Sequence, residues 1–258
     1  MIIDSVVAAA EPLLAGRQVT DAVLGLSLTA MELDGEDIGV SYVLRQNLPA
    51  GCSIFGFAQE IIGKPAFEVA SLVVKGQDDA QRAVGMAVIT AATRGLNLPD
   101  EKKTPNPFGL NVRPGDTVGM IGYIPPVAKE IATIADRVII FDRGLSSHGG
   151  EGAAQAYPME LQSELLPECD LMLITGTTLI NNTLDQLLDW CKKAREIVLV
   201  GASTPMIEEA FQSTGVTALA GSWWDATYKQ EMFKRLSLSC GISHLREMMI
   251  KKLVPVSA

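Results

Sequence analysis

The pattern of apolar and polar positions along this chain changes period several times, and each change marks an element. Met1 to Glu11, with Asp4 set among Ile2, Ile3, Val6 and Val7, reads as an amphipathic helix. Val19 to Thr29 is then rich in β-branched and aliphatic residues, and Ile38, Val40, Tyr42 and Leu44 alternate with Gly39, Ser41 and Val43, the period-two signature of strands. Between the two runs, Asp34-Gly35 favours a type I′ turn, whose central residues both need positive φ, so an antiparallel hairpin is expected. From Asp79 to Arg94 the period becomes helical. Ala80, Ala83, Val84, Ala87, Val88 and Ala91 share a face, with Asp78 or Asp79 as the cap, and the small side chains let this helix lie close against its sheet.

Leu96 to Asp116 breaks the pattern, because Pro99, Pro105, Pro107 and Pro114 interrupt any regular element and few apolar side chains remain to build a core. The predicted layout is a first domain over residues 1–100, a proline-rich linker over 101–115 and a second domain over 116–258. In the second part strand and helix signals alternate. Strands are expected at Thr117–Gly122, Arg137–Phe141, Asp170–Thr175, Ile197–Gly201 and Thr217–Ala220, and helices at Val127–Ala135, Thr183–Ala194 and Pro205–Ser213. Such alternation predicts an α/β fold, a parallel sheet with crossover helices, preceded by a small α+β domain. Ile242 to Lys252 reads as a last helix, returning to the first domain.

Composition narrows the partners. A hydrophobic fraction of 48% with 20% charged residues is that of a globular protein. The net charge of −9 argues against nucleic acid, since a phosphate-binding surface needs clustered Lys and Arg, and the compact basic groups are only the pairs Lys102-Lys103, Lys192-Lys193 and Lys251-Lys252, which read as solvated helix ends and linker. No stretch reaches the roughly 18 consecutive apolar residues of a membrane span, and Asp4 stands where a signal peptide carries Lys or Arg. Cys52, Cys169, Cys191 and Cys240 are scattered singly, which fits a reduced cytoplasm rather than a zinc ribbon or a disulfide scaffold. The expected partner is a small-molecule ligand, with a metal or metal chelate among the candidates and self-association left open.

The chemistry is expected at the carboxyl ends of the second-part strands, where open α/β sheets bind ligands. Gly119 and Gly122 close the first of these strands and Asp142 ends the second about twenty residues later, the spacing of a Rossmann-type ribose contact. Yet the turn reads Gly122-Tyr123-Ile124-Pro125-Pro126, and two prolines remove two of the backbone N–H groups that hold a diphosphate, which argues against a tightly bound NAD or FAD. The same prolines also suit a helix start. Thr175 to Thr183 offers five hydroxyls or amides beyond what one cap needs, although Asn182 with Asp185 is a credible cap by itself. Ser203 or Thr204 ahead of Pro205 reads as a cap first, and Trp223-Trp224 reads as interface packing before it reads as a stacking platform. His148 and His244 have no partner at ligand spacing, and there is no G-x-S-x-G elbow.

Gly122-Tyr123-Ile124-Pro125-Pro126, Phe141-Asp142, Thr175 through Leu184 and Val198 through Pro205, in that order, resemble the family of uncharacterised "putative heavy-metal chelation" proteins. The resemblance covers roughly 116–221, with a departure at Ala202, where relatives favour proline. It implies a Rossmann-like second domain preceded by a domain similar to the N-terminal domain of enolase, and a cleft shared by the two. It also implies a role in making or processing chelating or heterocyclic compounds of siderophore, pterin or flavin type; enolase's metal chemistry belongs to a different domain and is not carried over. Combined with the residue reading, Gly122, Tyr123, Pro125, Asp142, Arg143, Thr175, Gly176, Thr177, Asn181 and Ser203 are expected to bind the ligand, with Asp142 as the acid–base or metal group. The reading stays open between an enzyme on a small polar metabolite, a non-catalytic binder of a metal or metal chelate, and an S-adenosylmethionine-dependent transferase; no cofactor is assigned.

Overall fold

Ile3, Val6, Ala10 and Leu14 fall on one side of a helical period, and the first helix, α1 (Ile2–Leu14), buries all four. The structure is a computed structural model describing residues 1–45, 48, 55–98, 107–144 and 154–257. Cys52, His148, Lys102, Lys103, Pro99 and Pro105 lie outside the described residues. After α1 comes an antiparallel sheet of β1 (Val19–Leu24), β2 (Leu28–Leu33) and β3 (Asp37–Tyr42) in the order β1-β2-β3. The single run expected over Val19–Thr29 is therefore two strands. They part at Gly25, where a Cβ would stand 2.5 Å from the Leu236 carbonyl oxygen. The β2–β3 turn places its left-handed residues at Gly35 (φ 86°) and Glu36 (φ 64°), one position later than Asp34-Gly35 implies. Asp34 instead ends the strand, its carboxylate accepting from Arg17 Nε and the Gln18 N–H, each at 3.3 Å.

Two short helices, α2 (Ala66–Ala70) and α3 (Leu72–Lys75), precede α4 (Asp79–Ala92). Asp78 is the cap of α4, accepting from the Gln81 N–H at 2.9 Å. The helix lies directly on β3, so close that a Cβ at Gly39 would meet the Ala87 carbonyl oxygen at 2.0 Å. That approach is what the alanine face was expected to permit.

The remaining chain runs β4 (Thr117–Ile121), α5 (Pro125–Ile131), β5 (Arg137–Phe141), β6 (Ala154–Ala156), α6 (Gln162–Leu165), β7 (Leu171–Thr175), α7 (Thr177–Ile180), α8 (Leu184–Trp190), β8 (Glu196–Val200), β9 (Ala218–Trp224), α9 (Lys229–Ser237) and β10 (Met249–Pro255). The sheet order is β10-β9-β8-β7-β4-β5-β6, parallel throughout except for β10, which runs antiparallel to β9. Strand residues bury both faces, as parallel sheets require. Val118, Met120, Val138 and Ile140 pack with Ala128 and Ile131 of α5, while Ile139, Phe141, Met172 and Ile174 join the core that contains α1 and α4.

Several sequence expectations change here. The helix expected over Ile242–Lys252 does not form: a 3₁₀ segment, Ile242–Met248, leads into β10. Lys252, read as a solvated helix end, is 5% exposed, with its ammonium donating to the Leu98 carbonyl at 3.1 Å and lying 4.1 Å from the Trp223 ring centre. A lysine whose charge finds a carbonyl and an aromatic face can occupy an inward strand position, which a polarity pattern does not reveal. Residues 205–213 give only a 3₁₀ turn, Glu208–Phe211, and β6 and α9 were not anticipated.

The small sheet is covered on both faces. Leu28, Ala30, Ile38 and Val40 pack against Met232 and Leu236 of α9 and against Leu245 and Met248 of the 3₁₀ segment. The alternate residues Met31 and Leu33 pack with α1 and α4. This is why every residue of β2 is buried. Glu32, on the α9 side and 8% exposed at its side chain, is paired at 2.7 Å with Lys229 Nζ of α9, which also meets Asp21 at 2.9 Å. A carboxylate in that position needs such a partner.

At the opposite edge of the large sheet from the helix-bearing loops, Asp116 before β4 accepts from Arg195 Nη1 at 3.0 Å and from the Arg113 N–H at 2.6 Å. Burial alone would push this carboxyl up, but the guanidinium and the N–H outweigh it and hold the group below the usual carboxylate range. The folded state therefore favours the ionised form. The bond contributes fully above the unfolded carboxylate value of about 4 and is lost as pH falls through the lower folded value. The melting temperature of the wild-type protein is expected to fall more steeply on acidification below pH of about 4 than that of Asp116→Asn; parallel curves in thermal unfolding would contradict this assignment.

Candidate functional site

The carboxyl edge of the large sheet gathers its loops beside the end of β3. At the end of β4, Gly122 has φ 86°, a left-handed conformation that favours glycine, and a Cβ there would press on the Thr175 side chain at 3.1 Å. The Gly122 N–H donates to the Phe141 carbonyl at 2.9 Å. Asp142 then fixes two loops at once: one carboxylate oxygen accepts from the Tyr123 N–H and the other from the Gly144 N–H, both at 2.7 Å. Each oxygen keeps a further lone pair for a ligand.

The segment after β7 is less open than the sequence implies. It forms the short helix α7, and the Thr178 hydroxyl is committed to the Thr175 carbonyl at 2.8 Å. Asn182 is left-handed (φ 56°) and does not cap α8, whose N-cap residue is Thr183. The Thr175 and Thr177 hydroxyls pair at 3.2 Å, and the Thr183 hydroxyl donates to Asn181 Oδ1 at 2.7 Å.

Between this edge and β3 lies a cavity of about 710 Å³, lined by Tyr42 to Arg45 from the first part of the chain and by the loops of the second. That size suits a small metabolite, for which pockets run from roughly 300 to 1,000 Å³. Burial pushes the Tyr42 phenol above its ordinary value, which keeps it a neutral hydrogen-bond donor and acceptor. Gly122, Asp142, Arg143, Thr175, Thr177 and Asn181 come together in the lining.

Four expected ligand residues do not. Tyr123 spends its N–H on Asp142, and its side chain is exposed outside the cavity lining. Pro125 starts α5. Gly176 is pressed against the Ser203–Thr204 backbone, where a Cβ would lie 2.7 Å away. Ser203 is 1% exposed, and its hydroxyl accepts from the Tyr42 N–H at 2.9 Å and bonds the Ser41 hydroxyl at 3.1 Å. It joins the end of β3 to the β8 loop instead of facing the cavity.

Sequence reasoning missed the first-part wall, Tyr42 to Arg45, and also Gln162, the first residue of α6. The alternation that revealed β3 gave no sign of what its end would face. Trp223 and Trp224 are 7% and 1% exposed, so neither is a stacking platform. Trp223 Nε1 instead donates to Thr93 Oγ1 at 3.2 Å, with the Arg94 guanidinium 4.9 Å from its ring.

Among the described residues no three His, Cys, Asp or Glu side chains are grouped to hold a metal ion. Burial pushes the thiols of Cys169 and Cys191 up to about 12, so both stay protonated at neutral pH and are poor ligands. The described donors at the cavity are hydroxyls, amides and one carboxylate, which do not fit a bare soft metal ion.

Fold and cavity together define a two-sheet α/β protein with a ligand-sized cleft between its sheets. The chain belongs to the family described as "Putative heavy-metal chelation", which it matches over residues 106–255, and residues 7–93 match a second family of the same description. It is similar over 99% of its length to the crystal structure of a protein of unknown function from the DUF364 family of Pyrococcus horikoshii, with a TM-score of 0.79, 21% identity and 100% of that chain covered. A DUF364-family protein of unknown function from Desulfitobacterium hafniense gives a TM-score of 0.77 at 22% identity, covering 98% of this chain and 97% of that one. The uncharacterised protein MJ0500 of Methanocaldococcus jannaschii is 29% identical over 147 residues, which is 56% of this chain and 55% of that relative's length. Among the described residues no helix is long and apolar enough to cross a membrane.

Ser203→Ala is expected to destabilise the fold by about 1–3 kcal/mol, since the Tyr42 N–H loses its buried acceptor. Denaturant unfolding checks this, and an unchanged midpoint would show that the Ser203 contact contributes nothing.

Proposed function

We propose that this chain binds a small polar metabolite in the cleft between the end of β3 and the carboxyl edge of the large sheet, and that Asp142 exchanges protons with it. The observation that carries the reading is the cleft itself, in which both parts of the chain contribute walls and the polar groups converge on one side. Asp142 is the one carboxylate in the described lining, and the two backbone N–H groups that hold it fix its direction without filling all its lone pairs. The family description is met on this reading by a metal carried as an organic chelate, whose oxygen and nitrogen atoms hydroxyls and amides can recognise. A bare soft ion would ask for thiolate or imidazole instead.

Mass spectrometry of small molecules released from protein purified gently out of its own cells identifies the ligand. Thr177→Ala and Asp142→Ala are then expected to weaken its binding by roughly tenfold or more, on the scale of one hydrogen bond to a charged or buried partner. Unchanged affinity in both variants by calorimetry would remove the site from this cleft. Elemental analysis of the same preparation separates the chelate from the free metabolite.

A further inference from the structure

A second, smaller cavity of about 160 Å³ lies beside the cleft, and the two share Val43 in their walls. The character of the wall changes across that residue. On the cleft side stand Asp142, Thr177 and Asn181. On the other side the described lining is formed by Leu24 and Leu26 of the β1–β2 turn, Ala80 and Val84 one turn apart on α4, and the Phe55 ring, itself packed edge-on to Phe57 with 4.4 Å between ring centres. Thr29 is the one polar side chain in that lining, and its hydroxyl already donates to the Val23 carbonyl at 3.0 Å. A bound water needs two to four polar partners, so this space favours hydrocarbon, and an apolar cavity of about 150 Å³ is large enough to accept benzene. Leu24 and Leu26 remain 40% and 57% exposed, so a ligand reaches the cavity without disturbing the core. Val43 is held in place by its N–H, which donates to the Ser27 carbonyl at 3.0 Å.

We infer that the smaller cavity is the apolar subsite of the cleft, and that the ligand is amphiphilic: a polar head meets Asp142, Thr177 and Asn181, and a hydrocarbon arm the size of one aromatic ring passes Val43 to lie between the β1–β2 turn and α4. The inference rests on the cleft being the ligand site, as proposed above, and narrows it. A compound that is polar throughout gains nothing from the wall of Leu24, Phe55 and Val84.

Methyl-resolved NMR titration of the full chain tests it, with toluene as the ring alone and phenylbutanamide as a ring joined to an uncharged polar head. Toluene is expected to shift the Val84 and Leu26 methyls, and to bind about tenfold more weakly in Ala80→Leu, whose added carbons occupy the cavity from a half-buried helix position; Leu26→Ala, at an exposed turn, is the second variant and weakens toluene in the same direction. Phenylbutanamide is expected to shift the Val84 and Thr177 methyls together and to bind at least about tenfold more tightly than toluene, with Thr177→Ala removing that advantage and leaving toluene unchanged. No response of Val84 to either probe would overturn the apolar subsite while leaving the cleft as a site. Phenylbutanamide that shifts Val84 but not Thr177, or binds no better than toluene, would overturn the shared ligand and count against the cleft reading as well.

Discussion

The small sheet cannot be completed by its own part of the chain, and the rest of the architecture depends on that. One face of β2 and β3 is closed by α1 and α4, but the other is closed by α9 and the 3₁₀ segment before β10, which follow the large sheet in sequence. Fully burying each apolar side chain of Leu, Ile or Val size is worth about 1.5–3 kcal/mol, so exposing Leu28, Ile38 and Val40 would remove a large share of a typical domain's stability. The chain answers with a return of its C-terminal region over the first sheet. The Glu32–Lys229 pair at 2.7 Å gives that return a polar fixed point.

The cleft follows from this arrangement. With the small sheet sandwiched and α4 lying against β3, the end of β3 comes to rest beside the loops that leave β4, β5 and β7. Ser203 then joins the Tyr42 N–H to the β8 loop, and Trp223 joins β9 to Thr93. Polar groups on the loops are anchored to two sheets that share one core, with Asp142 tying the loops after β4 and β5 together. Preorganisation of this kind lowers the entropy that a ligand must overcome on binding.

Much of the large sheet was legible from sequence, because fully buried parallel strands such as Arg137–Phe141 and Glu196–Val200 are short apolar runs bounded by polar residues. The alanine face of α4 was equally plain, and its cap was narrowed to Asp78 or Asp79, of which the structure uses Asp78. What sequence did not show were features decided by distant partners. β10 carries Lys251-Lys252 and looked like a helix end until Trp223 and Leu98 were seen to receive the second lysine. Ser203 looked like a ligand group because a buried serine and an exposed one are written alike. The candidate site was half legible: Gly122, Asp142, Arg143, Thr175, Thr177 and Asn181 share the sheet edge at which general topology places ligands, whereas Tyr42 to Arg45 enter the cavity lining only through the packing of the two sheets.

Each sheet needs side chains from the other part of the chain, so both are expected to unfold as one cooperative unit. Differential scanning calorimetry of the full chain tests it most directly. A single transition is expected, with a calorimetric enthalpy equal to its van't Hoff enthalpy. Two resolved transitions, or a calorimetric enthalpy about twice the van't Hoff value, would show that the sheets unfold independently and would contradict it.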